Sequence, residues 1–263
     1  MSIPTMAATD QTTLDQLLNE AIRVDWEVAF AGKSAGNRHL ERVARLTDYL
    51  LEAAWAAGER PDPFVTRAGA AIHDVGLILG NRDHARTGAI VCEALLRFLQ
   101  IEEPRRSAIV ACVRSHDFGT DEAASDPAPP ATIEAQIVHD ADTLDKLGPL
   151  GAIRHTWKLS VDPERVWTAA ELLDFLPGHL AERASHLHLA AARRLAGRYG
   201  EALDRFVADR AEAAPVLETV MRGARRGRPT EAIVAELRQT FPGSAFVAAA
   251  AEQLELRYLS AAG

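Results

Sequence analysis

Ala70-Ala71-Ile72-His73-Asp74-Val75-Gly76 is the stretch around which the rest of the chain arranges itself. An apolar helical run ends there in an imidazole and a carboxylate, side by side. Both groups are ligands for borderline and hard divalent cations. Adjacent helical residues do not share a face, so the pair can serve one ion from two angles or bridge two. Gly76 fits a left-handed helix stop, which would put the pair at a helix end, where a pocket can open. Alone, His-Asp is a two-letter match, and a chain with nine His will contain such matches by accident. Its weight depends on which other side chains of that chemistry sit on buried faces.

Upstream, Asn37 to Ala57 reads as a helix stopped by Gly58, with His39, Val43, Leu46 and Leu50 spaced as one apolar stripe. His39 therefore opens a buried face. Pro61 and Pro63 start the helix Phe64 to Asp74, which ends in the His-Asp pair. After a connection from Val75 to Asp83, His84 to Leu99 places His84, Gly88, Val91, Cys92 and Leu95 on one side. Pro104 begins a helix in which Ile109, Cys112, Val113 and His116 share a side. Thr120 to Pro130, rich in Asp, Ala and Pro, reads as an exposed loop. Ile133 to Leu147 is helical, with Ala135, Val138 and Asp142 on one side. A carboxylate on that side needs a partner, because burying it alone is expensive.

Further out, residues 1–10 read as a loose tail and Thr13 to Phe30 as an amphipathic helix. Gly148 and Pro149 break the chain before a helix over Gly151 to Leu159. A short helix over Thr168 to Leu176 stops at Pro177-Gly178. His179 to Ala213 reads as one long helix, Pro215 and Pro229 as breaks, and Ala232 to Leu237 and Phe246 to Leu259 as further helices. No stretch alternates apolar and polar residues as a half-buried strand would. The expected class is all-α, with residues 1–214 as one helical domain and 215–263 as a helical extension, a cap or the surface of a homo-oligomer.

Composition sets limits. The 263 residues are 48% hydrophobic, enough for a sizeable core, yet no apolar run reaches the roughly 18 residues of a membrane span. Met1 to Asp10 has no basic region followed by an apolar stretch, and two cysteines are too few for a disulfide framework. The expected setting is the cytoplasm. Lys and Arg number 29 and Asp and Glu 37, a net charge of −8. That balance argues against general nucleic-acid binding. It leaves room for a small anion, since a bound cation supplies positive charge locally.

Six ligand-type groups thus lie on buried stripes: His39, His73, Asp74, His84, His116 and Asp142. Any one of them taken singly reads as a core histidine bonded to a carbonyl, or as a capping acid. Together they are what a helical bundle draws to one point for a metal. Their order, His…His-Asp…Asp, resembles the HD superfamily of metal-dependent phosphohydrolases. Arg38-His39-Leu40-Glu41-Arg42-Val43 looks like its first-ligand helix and Ala71-Ile72-His73-Asp74-Val75-Gly76 like its name-giving motif. Arg114-Ser115-His116-Asp117-Phe118 resembles the later His segment, and Asp140-Ala141-Asp142-Thr143-Leu144-Asp145-Lys146-Leu147-Gly148 the later Asp segment. The run Asp140 to Arg154 is especially similar to a subgroup of small bacterial HD hydrolases. The resemblance covers roughly residues 20–213.

The resemblance implies an HD-domain helical bundle in which His39, His73, Asp74 and Asp142 hold one divalent ion (Mn, Mg, Fe, Co, Ni or Zn). Asp142 is preferred to Asp140 because it follows Ala and precedes a residue and then Leu, and it shares a helical side with Val138. His84 and His116 match positions that complete a second site, bridged by the motif Asp, in relatives with two metals. Asp74 and His116 are the candidate catalytic residues. Arg86, Lys146 and Arg154 are the candidate cations for a small anionic phosphate substrate. Leu77 stands where the cyclic-dinucleotide branch has Lys and the nucleotidase branch an acid, and there is no Gly-Tyr-Pro. The general acid or base is left among His116, Asp117 and Asp83. Thr143 and Lys146 depart from the subgroup, so the substrate is expected to differ. The expected activity is phosphomonoester or phosphodiester hydrolysis, with an HD-fold di-iron oxygenase and a non-catalytic metal-binding module as alternatives.

Other signals carry little weight. Ala31-Gly32-Lys33-Ser34 ends like a P-loop, but Glu27 stands where its first Gly belongs. His186 and His188 would face apart on a helix, His155 and His179 lack a nearby acid, and Arg222 to Arg228 reads as a solvated turn.

Overall fold

The structure, a computed structural model, describes residues 3–23, 39–79, 83–119 and 128–255. The far end of the first expected helix, the P-loop-like tetrapeptide, Arg38, most of the 120–130 loop and the last residues of the final helix lie outside the described residues. Among the described residues there are twelve α-helices, one 3-10 turn and no strand. None of these helices is long and apolar enough to cross a membrane. The chain divides by contact into two compact units. The first holds the helices up to Thr143 together with His186–Ala192, and the second holds Leu144–Ser185 and the chain from Arg193 onward.

The first unit contains α1 (Ala8–Arg23), α2 (His39–Ala56), α3 (Pro63–Ile72), a 3-10 turn (Val75–Leu79), α4 (His84–Phe98), α5 (Arg105–Ser115) and most of α6 (Ile133–Asp145). The expected tail is shorter than read, since α1 is already helical at Ala8. On α2 the stripe Val43, Leu46 and Leu50 is fully buried, and the helix ends before Gly58, whose φ of 95° suits a residue without Cβ. Helix α3 starts firmly. Asp62 accepts from the Phe64 and Val65 amides at 2.9 and 3.3 Å, and Pro63 follows at the first helical position. The other Asp62 oxygen accepts from Arg105 Nε at 3.0 Å, which ties the start of α3 to the start of α5. Helix α3 packs on α1, α2 and α5, while α4 packs on α5 and the 3-10 turn.

Gly76 is not the left-handed stop expected of it. It lies inside the 3-10 turn and is not among the positive-φ glycines. Its role is close approach. A Cβ at Gly76 would stand 1.9 Å from the His84 carbonyl oxygen and 2.6 Å from the Gly88 amide nitrogen. Two glycines facing each other let the His-Asp turn and the start of α4 touch backbone to backbone.

The second unit is organised on α7 (Gly148–Ser160), which packs against α8 (Ala169–Ser185), α10 (Arg210–Arg225), α11 (Thr230–Thr240) and α12 (Ala245–Glu255). Gln253 of α12 accepts from the Leu150 amide at 2.8 Å and donates to the Leu147 carbonyl at 3.3 Å. Trp157 Nε1 donates to the Arg228 carbonyl at 2.7 Å.

Three helix boundaries differ from the sequence reading. Helix α8 runs through Pro177, and α10 runs through Pro215. A proline inside a helix costs about 3 kcal/mol. Leu172, Leu173, Leu176 and Leu180 of α8 are all buried, and burying each contributes about 2 kcal/mol, so packing outweighs the lost hydrogen bond. The long helix expected over 179–213 is instead two: α8 ends at Ser185 and α9 (Ala190–Ala208) follows, with 186–189 as a turn. The basic stretch is not a free turn either. Arg222 and Arg225 are in α10, and Arg228 is held by Glu236 and by the Ala232 carbonyl. Residues 214 and 215, where the extension was expected to begin, lie inside α10.

Candidate metal centre

Six side chains from five parts of the first unit converge. His39 begins α2, His73 caps α3, and Asp74 follows it. His84 begins α4, His116 caps α5, and Asp142 lies in α6. All six are buried, and His39 at 8% is the most exposed.

The Asp74 carboxylate is at the centre, and its two oxygens face different partners. Oδ2 lies 3.5 Å from both His39 Nε2 and His73 Nε2. Oδ1 lies 3.4 Å from His84 Nε2 and 3.3 Å from His116 Nε2. Asp142 Oδ1 completes the first side at 3.2 Å from His39 Nε2 and 3.6 Å from His73 Nε2. The two Nε2 atoms on each side are close, 3.3 Å for His39 and His73 and 3.0 Å for His84 and His116.

Backbone carbonyls orient two of the rings. His73 Nδ1 donates to the Ala70 carbonyl at 2.8 Å, and His116 Nδ1 donates to the Val113 carbonyl at 2.7 Å. With the proton on Nδ1, the Nε2 lone pair points inward. This is how a ligating histidine is held in the right tautomer. Burial pushes the Asp74 carboxyl up, but the charge of His73 and hydrogen bonds from His116, His39 and His84 prevail and hold it well below the usual carboxylate range. Burial lowers the His116 pKa, the Asp74 hydrogen bond works against this, and His73 and His84 add to the lowering. The groups His39, His73 and Asp142, and His73, Asp74 and His116, could each hold a metal ion. The chemistry of the donors fits one: imidazole nitrogens aimed inward and ionised carboxylates among them.

Asp140, two residues from Asp142, faces elsewhere. Its carboxylate accepts from the His188 amide at 3.0 and 3.1 Å and from the Leu189 amide at 2.7 Å. His139 Nδ1 lies 3.0 Å from Asp140 Oδ1, and His139 Nε2 donates to the Phe118 carbonyl at 2.9 Å. His139, Asp140 and His188 are near enough to suggest a third ion. The Nε2–H of His139 is taken by the Phe118 carbonyl and both oxygens of Asp140 accept from backbone amides, so the group is a hydrogen-bonded strut. The sequence reading missed His139 and took His188 for a helical residue. The only signal was a second buried acid beside Asp142.

The remaining candidates are divided between the two units. The Arg86 side chain is 62% exposed and its Nη2 lies 3.7 Å from Asp83 Oδ2. Asp117 is buried beside His116, whereas Asp83 is partly exposed. Arg154 belongs to the second unit, where it bonds the carboxylate and carbonyl of Asp145. Lys146, also in the second unit, is half-buried. In that unit the His155 and His179 rings meet edge to face at 4.8 Å, and Arg183 Nε donates to His179 Nε2 at 3.2 Å.

Comparison with known proteins follows the same lines. Residues 37–147 match the HD domain family. No curated protein matches the chain in sequence. Among solved structures, YpgQ of Bacillus subtilis in complex with ADP is 18% identical, covering 76% of this chain and 94% of its own, with a TM-score of 0.55. An HD-superfamily hydrolase of Bacillus thuringiensis is 20% identical over 76% of this chain and 95% of its own, with a TM-score of 0.52. A protein of Lactobacillus plantarum is 22% identical over 78% and 96%, with a TM-score of 0.53. At these identities the likeness is one of fold. With the family match lying over the converging histidines and aspartates, residues 37–147 of this chain are an HD domain.

Proposed function

We propose that this chain is a metal-dependent phosphohydrolase acting on a phosphomonoester or phosphodiester, a nucleotide or a related small anion. The observation that carries the reading is the division of Asp74, one oxygen toward His39 and His73 and the other toward His84 and His116. His39, His73, Asp74 and Asp142 would hold one divalent ion, and His84, His116 and the other Asp74 oxygen a second. Such an ion, when bound, makes hydroxide available from water near neutral pH and draws charge from a phosphoryl oxygen.

The residues of the chain supply the rest. Asp74 stays ionised because its pKa is held down, so it offers charge to both sides at once. The lowered pKa of His116 keeps its ring neutral and able to donate a lone pair at neutral pH. Burial of the six groups keeps bulk water from competing. Asp83, partly exposed and next to His84, remains a candidate general acid or base beside His116 and Asp117. The net charge of −8 repels an anion at long range, so binding depends on local cations. The complex of YpgQ with ADP supports a nucleotide-like anion for a chain of the same fold.

Elemental analysis of the purified protein, run beside phosphatase and phosphodiesterase panels with Mn²⁺, Mg²⁺, Co²⁺ and Ni²⁺, tests this. Metal-dependent phosphate release that Asp74→Ala abolishes is the expected result. Bound iron with oxygen uptake and no phosphate release would replace the reading with an oxygenase. A well-metallated protein inert to the whole panel would make it a binding module.

A further inference from the structure

We propose that His139 is a positioning residue for the His116 side of the paired site, acting through the Phe118 carbonyl. The proposal rests on reading the six buried side chains as ligands for two ions.

His116 stands where α5 ends, and the chain turns directly after it. One long backbone bond, Phe118 amide to Ser115 carbonyl at 3.3 Å, closes the turn. His139 adds a side-chain bond to this turn. Its ring is fully buried, and its Nε2–H donates to the Phe118 carbonyl at 2.9 Å. Its other nitrogen faces Asp140 Oδ1 at 3.0 Å. Asp140 in turn is fixed by the His188 and Leu189 amides. The strut therefore runs from the turn before α9, through a carboxylate and an imidazole, to the segment that carries His116.

The same segment is pressed from its far side. Gly119 has a φ of 74°, and a Cβ there would stand 2.5 Å from the His186 ring. The Phe118 ring meets His186 edge to face at 6.0 Å. His139 and His186 thus both contact the segment.

The opposite side of the site is carried by other elements. His73 is at the end of α3 with its ring tied to Ala70, and Asp142 is on α6 itself. His84 is set by the contact of its turn with Gly76. His139 and Asp142 are three apart on α6 and so lie on neighbouring faces. One helix thus presents a carboxylate to one side of Asp74 and steadies the histidine on the other. Loss of the strut frees the Phe118 carbonyl and loosens His116 from its place 3.3 Å from Asp74 Oδ1. The ion shared by His84 and His116 is then released first. Outer hydrogen-bond partners of this kind change metal affinity by about 10- to 100-fold.

Titration of the metal-free full chain with Co²⁺, followed by absorption and calorimetry, tests the inference without reference to turnover. Wild type is expected to take two ions per chain. His139→Leu should hold the first within about twofold and bind the second about 10- to 100-fold more weakly. His139→Gln, whose amide can still reach Phe118, should recover most of the loss. If His139→Leu does not fold, His139→Asn, too short to reach Phe118, should reproduce the selective loss. Equal weakening of both ions, or no change in either, overturns the proposal and leaves the paired site standing. A wild type that takes one ion or none removes the paired site and the proposal with it, and the wild-type titration alone reveals this.

Discussion

A Cβ on Gly76 would stand 1.9 Å from the carbonyl oxygen of His84. The turn that carries Asp74 and the helix that begins with His84 are therefore in backbone contact, and any side chain at 76 must push them apart. Overpacking of a tight contact costs about 1–3 kcal/mol, and here the obstacle is backbone, which cannot rotate away. Gly76→Ala is expected to lower the urea-unfolding free energy by about 3 kcal/mol and to weaken metal binding with it. Gly88→Ala, whose Cβ would meet the Gly76 amide nitrogen at 3.1 Å, should cost about 1 kcal/mol. Equal losses for the two would show that the contact is looser than described.

Two buried acids, Asp74 and Asp140, should fail in different ways. Asp74→Ala removes the group between four imidazoles, and metal retention is expected to vanish in elemental analysis. Asp140→Ala leaves the buried amides of His188 and Leu189 without their acceptor. It should retain an ion at His39, His73 and Asp142, if the proposed site is right in its ligands, and lose about 3 kcal/mol of stability. A protein that keeps its metal without Asp74 and loses it all without Asp140 would reverse the assignment.

Acid should destabilise the metal-free protein in two steps. His116 has its pKa lowered by the fold, so above about 6.5 its ring is neutral in both folded and unfolded chains. Below that value the unfolded chain takes the proton first, and stability falls as pH falls toward the native pKa. His155, lowered by burial and by Arg183 and His179, has the same sign in the second unit. Asp74, held well below the usual range, contributes stability above about 3.9 that is lost as pH drops through its native pKa. Melting temperatures in EDTA from pH 8 to pH 3 should show both declines. His116→Gln should flatten the upper one in part, because His155 remains.

The two cysteines should be silent. Cys92 and Cys112 are fully buried free thiols. Burial, with the Glu93 charge, pushes Cys92 up to about 12, and burial pushes Cys112 further still. Thiolate is the reactive form. Ellman's reagent at pH 8 should titrate none of them in the folded protein and two per chain in guanidinium. Rapid native reaction would mean that the α4–α5 interface opens.

Much of this was legible because of periodicity. His39, His84, His116 and Asp142 each fall in step with an apolar stripe, and a polar group in step with a stripe is buried where others can meet it. What was not legible depended on distant partners. The break at 186–189 carries no Gly or Pro, and the carboxylate that caps it lies 48 positions upstream. Pro177 and Pro215 read as stops, yet they lie within helices whose buried leucines and valines outweigh one missing amide. Gly76 signalled a special position correctly but for a different reason: the neighbour that forbids its Cβ is a carbonyl eight residues on.

The grip of Asp140 on His188 and Leu189 has a bearing on how this protein can be cut. Residues 37–147 span the family match, but the first unit also includes His186–Ala192. A fragment trimmed at residue 147 would strand a carboxylate in an apolar interior with two of its donors gone. The heptapeptide beyond the cut is therefore part of the smallest piece that should survive excision, and a split protein should reassemble only when that peptide is supplied.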